Sequence, residues 1–158
     1  PYPLAYHGWG DVLVIVFFGF VPVGCTYYTM AHDWTWEVTI GCAACGLVSD
    51  MLLMLNNYRD REQDKLSGKR TIVVRFGEPV GRWGYLALGI LATCLCFLYA
   101  FSNHLGAALM PLLFLAFHFT TWRQMVRIKQ GKQLDIVLGK TARNITLFGL
   151  LLSLGLIL

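Results

Sequence analysis

The sequence predicts an all-α integral membrane protein with five spanning helices, and three observations carry that expectation. Of its 158 residues, 56% are hydrophobic and only 14% charged, against about a quarter charged in a soluble domain. The apolar residues come in long blocks, and residues 83–122 form a run of 40 without one Asp, Glu, Lys or Arg. A bilayer core takes about 20 helical residues, so that run is two spans and a hairpin. All 13 Lys and Arg fall in two segments, seven from Arg59 to Arg82 and six from Arg123 to Arg143. There is no basic stripe with interleaved aromatics, so no nucleic-acid partner is expected.

The chain opens PYPLAYHGWGD, with neither a Met nor the basic start of a secretory signal. That opening suggests a piece cut from a longer protein. Residues 12–30 lack charge and form the first span, with Pro22 and Gly24 marking a kink. Trp34 and Trp36 flank the polar turn that follows, as in an interfacial aromatic belt. The second span, residues 38–58, is interrupted only by Asp50.

In the charged loop 59–79 the helix should continue through Asp64 and stop near Gly68, a natural C-cap. Thr71-Ile72-Val73-Val74 is β-branched and extended by propensity. Glu78-Pro79 then opens the next helix, since proline is accepted in a first turn. Spans 80–102 and 105–122 meet at Ser102-Asn103-His104, a second charged loop covers 123–140, and the last span runs over 141–158. The bias of basic residues places loops 59–79 and 123–140 in the cytoplasm.

Five cysteines lie at 25, 42, 45, 94 and 96. Cys42 and Cys45 form a C-x-x-C, but among Gly41, Ala43, Ala44 and Gly46 they read as small residues for helix packing. No second ligand pair follows at zinc spacing. His7, His32, His104 and His118 show no ligand spacing either, and His118 is expected to be buried and hydrogen-bonded.

The chemistry is concentrated in residues 50–75. Asn56, Asp60 and Asp64 are spaced four apart, which aligns hard oxygen donors along one helix face. Mg²⁺ takes one or two carboxylates together with waters and phosphate oxygens. Lys69, Arg70 and Arg75 supply cations for remaining phosphate charge. Gly68-Lys69-Arg70 is not a nucleotide-binding P-loop, because the earlier glycine is missing and Arg70 stands where Ser or Thr is needed. Asp50 is an acid inside a span, costly and functional by default. Fourteen residues before Asp64, it is about 40° away around the helix and can face the same interior.

Asn56-Asn57-Tyr58-Arg59-Asp60, Asp64, Gly68-Lys69-Arg70-Thr71 and Val74-Arg75-Phe76-Gly77 together closely resemble the second aspartate motif of the UbiA superfamily of intramembrane prenyltransferases. The form is similar to that of the branch acting on 1,4-dihydroxy-2-naphthoate. Tyr6-x-Gly8-Trp9-Gly10-Asp11 with Phe17-Phe18-Gly19, Thr141-Ala142-Arg143 and the closing Phe148-Gly149-Leu150-Leu151 also resemble that branch. The family has nine membrane helices and two aspartate motifs. The resemblance implies that these five spans are helices 5–9, the C-terminal half of one membrane domain, and the NDxxD-type first motif is nowhere in them.

By resemblance, the enzyme sits in the cell inner membrane and transfers a polyprenyl group from polyprenyl diphosphate to 1,4-dihydroxy-2-naphthoate with loss of CO₂, giving demethylmenaquinone. It uses Mg²⁺ and needs the N-terminal half of the same enzyme as partner; this piece alone should be inactive. Asn56, Asp60 and Asp64 would be catalytic and hold the metal. Lys69, Arg70, Arg59 and Arg75 would be the diphosphate cations, although Arg59 could equally pair with a carboxylate. Asp50, Asp11 and Tyr6 are candidates for an acceptor or proton site. Two other readings stay open: the same fold with another aromatic acceptor, or a small channel or transporter with Asp50 on an ion path.

Overall fold

A computed structural model describes residues 4–158, which open with a 3-10 turn at Leu4–His7. The helices are then α1 (Gly10–Ala31), α2 (Trp36–Leu66), α3 (Ile72–Phe76), α4 (Glu78–Ser102), α5 (Leu105–Ile128) and α6 (Leu134–Ile157). All but α3 are long and apolar enough to cross a membrane, which agrees with the five expected spans. Helices are the required solution in a bilayer, because they satisfy their own backbone polar groups where no water can. The outward faces carry residues such as Phe101 and Ile157, each 81% exposed, which suit lipid.

In α1, residues Val16–Cys25 wind as a π-helix with Pro22 inside it. Proline lacks an N–H and its ring crowds the carbonyl four residues back; the wider turn accommodates both. This is the form the expected irregularity takes. At His32 the backbone turns left-handed, and Thr35 caps α2 by accepting from the Val38 amide.

Packed by α1, α4 and α6, α2 is the central helix, with Ala44, Val48, Met51, Leu55 and Tyr58 all buried. Small residues bring α1 onto it: a methyl at Gly19 would strike the Cys42 carbonyl, and one at Gly46 would meet the Ile15 carbonyl. Cys42 is fully buried at this crossing, so the C-x-x-C segment serves helix packing. At the far end, the Tyr99 hydroxyl donates to the Glu37 carbonyl at 2.8 Å and the Ser102 hydroxyl to the Glu37 carboxylate at 2.7 Å. These bonds tie the end of α4 to the start of α2.

Hydrogen bonds also join α4, α5 and α6. The Tyr85 hydroxyl lies 2.8 Å from Thr141 Oγ1, and Thr141 donates to the Val137 carbonyl. Asn144 donates to Thr121 at 2.9 Å and the Trp122 indole to the Arg82 carbonyl at 2.9 Å. His118 is buried as expected, stacked between Tyr85 and Phe114, with Nε2 3.1 Å from the Leu86 carbonyl. A carbonyl only accepts, so Nε2 carries the proton. Gly89 makes room for that ring. At Gly106 and Gly155 the backbones of α5 and α6 touch, and neither residue has space for a Cβ.

One local expectation fails. Of residues 71–74 only Thr71 is extended: it caps the one-turn helix α3, which takes in the other three, its hydroxyl accepting from the Val74 amide at 3.3 Å. Strand propensity mostly reflects fit to a pleated neighbour, and among the described residues no strand lies beside this segment. Val73 instead buries itself against Gly81 next to Tyr58. Elsewhere α2 ends at Leu66 with Gly68 at φ +76°, α4 starts at Glu78-Pro79, and Asn103 turns left-handed at the hairpin, as expected. Two elements extend into the segment expected as loop 123–140, since α5 runs on to Ile128 and α6 starts at Leu134.

Overpacking a close contact typically costs about 1–3 kcal/mol. Gly155→Leu in the full-length protein should therefore lower the thermal midpoint in detergent clearly. Gly139→Ala, with open space around its Cβ position, should raise stability by about 0.5–1 kcal/mol through helix propensity alone.

Candidate functional site

The site is assembled at the end of α2 that carries the charged connections. Because α2 stays helical to Leu66, Asn56, Asp60 and Asp64 remain on one regular helix. The chain then reverses tightly: the Ser67 hydroxyl and the Lys69 amide both donate to the Asp64 carbonyl, at 3.0 and 2.9 Å. The reversal swings Lys69 back onto the helix, where its Nζ lies 2.9 Å from Asp64 Oδ1. Only 6% of Asp64 is exposed, and a buried carboxylate needs such a partner. In return, the hydrogen bond to Asp64 holds the Lys69 ammonium above its ordinary range.

Asp60 is gripped by Arg59 with both oxygens, Nε to Oδ1 at 2.7 Å and Nη2 to Oδ2 at 2.8 Å. The third arm of that guanidinium, Nη1, reaches Asp135 at 2.7 Å in the first turn of α6. Arg59 is thus committed to two carboxylates, the pairing that its sequence position left open. Such a fork fixes the carboxylate geometrically as well as electrostatically. Arg61 holds the neighbouring elements by donating to the Tyr58 and Lys129 carbonyls.

The segment after Lys69 folds over the N-terminal turn. The Arg70 amide donates to the Tyr6 carbonyl at 2.9 Å, and Lys69 Nζ lies 5.8 Å from the centre of the Tyr6 ring. Gly8, at φ +84°, sits against the Arg70 carbonyl and the Arg75 guanidinium, too tightly for a side chain. The Arg70 and Arg75 side chains are exposed. Beneath this strap Gly8, Asp11, Leu53, Asn57, Lys69 and Thr71 enclose a small cavity of about 100 Å³.

Asp11 and Asp50 are buried at the packing of α1 on α2, within electrostatic reach of one another. Oδ1 of each is buried without a hydrogen-bond partner. Asp11 lines the cavity under the strap, and Asp50 lies deeper along α2. Asp11 and Lys69 therefore share one recess, to which Tyr6 and Asp64 are linked through their contacts with Lys69, whereas Asp60 faces a neighbouring cleft with Arg59 and Asp135.

Sequence reasoning chose Asn56 for the row and passed over Asn57, which is the more buried and lines the cavity. A signal was available. Asp50, Asn57 and Asp64 are spaced seven apart, two helical turns each, which puts them on one stripe of α2.

Among the described residues, no group of three or more His, Cys, Asp or Glu gathers as a metal centre. Asp60 and Asp64 offer a smaller set, hard oxygens one helical turn apart near the polar end of α2. That donor chemistry fits a hydrated Mg²⁺ ion completing its shell from phosphate and water.

Residues 1–156 match the description of the UbiA prenyltransferase family. Over 99% of its length the chain is 35% identical to a 1,4-dihydroxy-2-naphthoate octaprenyltransferase of Haemophilus influenzae, of which it covers 51%. It is 34% identical to the protein of that name from Escherichia coli, with the same two coverages. A 2-carboxy-1,4-naphthoquinone phytyltransferase of Synechocystis is 25% identical over 51% of this chain and 26% of its own. The chain thus spans about half the length of the first two curated relatives. No solved structure matches it. Family match, five membrane-length helices and the aspartate row agree, and the chain belongs to the UbiA prenyltransferase family.

Proposed function

We propose that the full-length protein transfers a polyprenyl group from polyprenyl diphosphate to 1,4-dihydroxy-2-naphthoate, and that this chain supplies one of the two aspartate walls of its site. The observation that carries the reading is the Asp60–Asp64 row, held by Arg59 and Lys69 at the polar end of a membrane helix. Two relatives that match 99% of the chain bear the name of this naphthoate chemistry. The N-terminal half of the same enzyme would supply the facing wall and the other aspartate motif. On its own this half would not turn over.

Asp60 and Asp64, with Asn56 one turn earlier, would hold Mg²⁺. The ion, when bound, neutralises negative charge that builds on the diphosphate as the allylic C–O bond breaks. Lys69, Arg70 and Arg75 bring cations to the same group, and a diphosphate oxygen can take over the ammonium that Asp64 holds. Arg59 keeps Asp60 oriented through its second anchor on Asp135. The allylic carbon bonds to the carboxyl-bearing carbon of the naphthoate. Cleavage of the bond to the carboxylate then releases CO₂ and returns its electron pair to the ring. The product is a prenylated naphthalenediol, the reduced form of demethylmenaquinone.

Asp11 lines the recess with Lys69, Tyr6 lies on the other side of Lys69 and Asp50 lies deeper along α2; these three would contact the aromatic acceptor or its hydroxyl protons. The concentration of basic residues near the charged connections supports a multi-pass orientation in the cell inner membrane with residues 59–79 and 123–140 in the cytoplasm.

Losing one preorganised charge-stabilising group typically costs about 10²–10³ in turnover. Asp60→Asn in the full-length enzyme should lower kcat by about that factor while the protein still inserts and folds; near-normal turnover at saturating Mg²⁺ would refute the assignment. A separate expectation concerns the recess: Asp11→Asn should weaken KM for the naphthoate about tenfold, as loss of a hydrogen bond to a buried charged group does. KM for the polyprenyl diphosphate should stay the same, and assays with hydroxybenzoate in parallel test the choice of acceptor.

A further inference from the structure

A second concentration of positive charge lies away from the aspartate row, between α5 and α6. Arg123, Gln124 and Arg127 on α5 face Gln133, which precedes α6, and Lys140 on α6 across a groove of about 600 Å³. Three cations line it, and no carboxylate does. The nearest acid in sequence, Asp135, is turned to Arg59 at 2.7 Å in a different cleft. Cations packed together without an acid repel one another unless an anion joins them.

The side chains are held rather than loose. Lys140 Nζ donates to Gln124 Oε1 at 2.6 Å, which ties the two helices across the groove. The Arg123 guanidinium lies 4.8 Å from the centre of the Phe119 ring. One turn farther along α6, toward the apolar middle, Arg143 lies 5.6 Å from the Phe117 ring. Stacking of this kind orients the planar group and, at Arg123, leaves N–H edges for phosphate oxygens; Arg143 already donates from Nη2 to Asn144 Oδ1 at 3.2 Å. The walls between the cations are apolar: Ile128 and Ile136 line the groove, and Ile136 is 60% exposed.

We infer that this groove binds the phosphate headgroup of an anionic phospholipid, with the acyl chains lying along the apolar faces of α5 and α6. Position, charge and shape all favour a lipid over a free anion. The groove opens between two membrane helices at their charged end, the level of a headgroup, where basic pockets recognise anionic lipids. An inorganic phosphate would use the cations but leave the isoleucines exposed. None of these residues belongs to the Asp60–Asp64 row or its strap, so the inference does not depend on the proposed reaction.

The test is lipid retention by the purified full-length protein, read by native mass spectrometry after exchange from mixed phosphatidylglycerol and phosphatidylcholine of equal chain length. The wild type should keep one phosphatidylglycerol in preference to phosphatidylcholine, and millimolar inorganic phosphate should not displace it. Replacing three cations with R123Q/R127Q/K140Q should cut that preference about tenfold or more. The control K65Q/K129Q/K132Q removes equal charge outside the groove and should leave the preference intact. An equal loss in both triple variants, an unchanged preference in the groove variant, or displacement by free phosphate would each overturn the inference. Thermal unfolding of each variant confirms that the comparison is made between folded proteins.

Discussion

A charged row can be presented at a membrane surface only by an element that is itself firmly held inside the bilayer, and α2 meets that requirement. It runs 31 residues without a break, buried at its centre, and ends in polar residues that include Asp60 and Asp64. Inside lipid there is no hydrophobic force to press helices together, so close packing and hydrogen bonds must do it. Gly19 and Gly46 let α1 approach the α2 backbone, and Tyr99 and Ser102 fasten α4 to its opposite end. A shift of α2 along its axis would move every candidate ligand at once.

The second constraint is electrostatic. Each carboxylate of the row is held by a cation from the same chain, Asp60 by Arg59 and Asp64 by Lys69. The more exposed Arg59–Asp60 pair adds little stability as a salt bridge and chiefly confers position, whereas Lys69 is the partner that the buried Asp64 carboxylate requires. Arg59 is anchored to the start of α6 through Asp135, so the row and the last helix are coupled. Lys69 is held by the tight reversal at Gly68 and lies against the N-terminal turn. Asp11 and Asp50 differ in kind, since each leaves one buried carboxylate oxygen without a hydrogen-bond partner. Such atoms are costly in a low-dielectric interior, so the α1–α2 contact carries a local stability cost that the rest of the packing offsets.

Much of this was legible in the sequence, and the reasons are particular. Spans are read from charge-free length, a property of the chain alone, so the five helices, the hairpin at Ser102-Asn103-His104 and the helix stop near Gly68 could be placed. Spacing by four along a helix is likewise intrinsic, which is why Asn56, Asp60 and Asp64 could be grouped. The failure at Thr71-Ile72-Val73-Val74 is equally instructive. β-Branched residues favour strand only where a neighbouring strand exists, and here Val73 found Gly81 and Tyr58 instead. Likewise Asn56 outranked Asn57 because spacing reports which residues share a face, not which face another helix covers.

By itself, then, the sequence determined the membrane class, the number of spans, the helix that bears the aspartates and the family motif they form. Each of these depends on residue order along one chain. Only the tertiary structure decided that Arg59 is spent on Asp60 and Asp135, that Lys69 returns to Asp64, and that Asp11 and Asn57 share a recess with it. Arg59 and Asp135 are 76 residues apart, and nothing local to either announces the other. Partners so distant in sequence are chosen by the crossing of helices, a matter of shape that the order of residues encodes only through the whole fold.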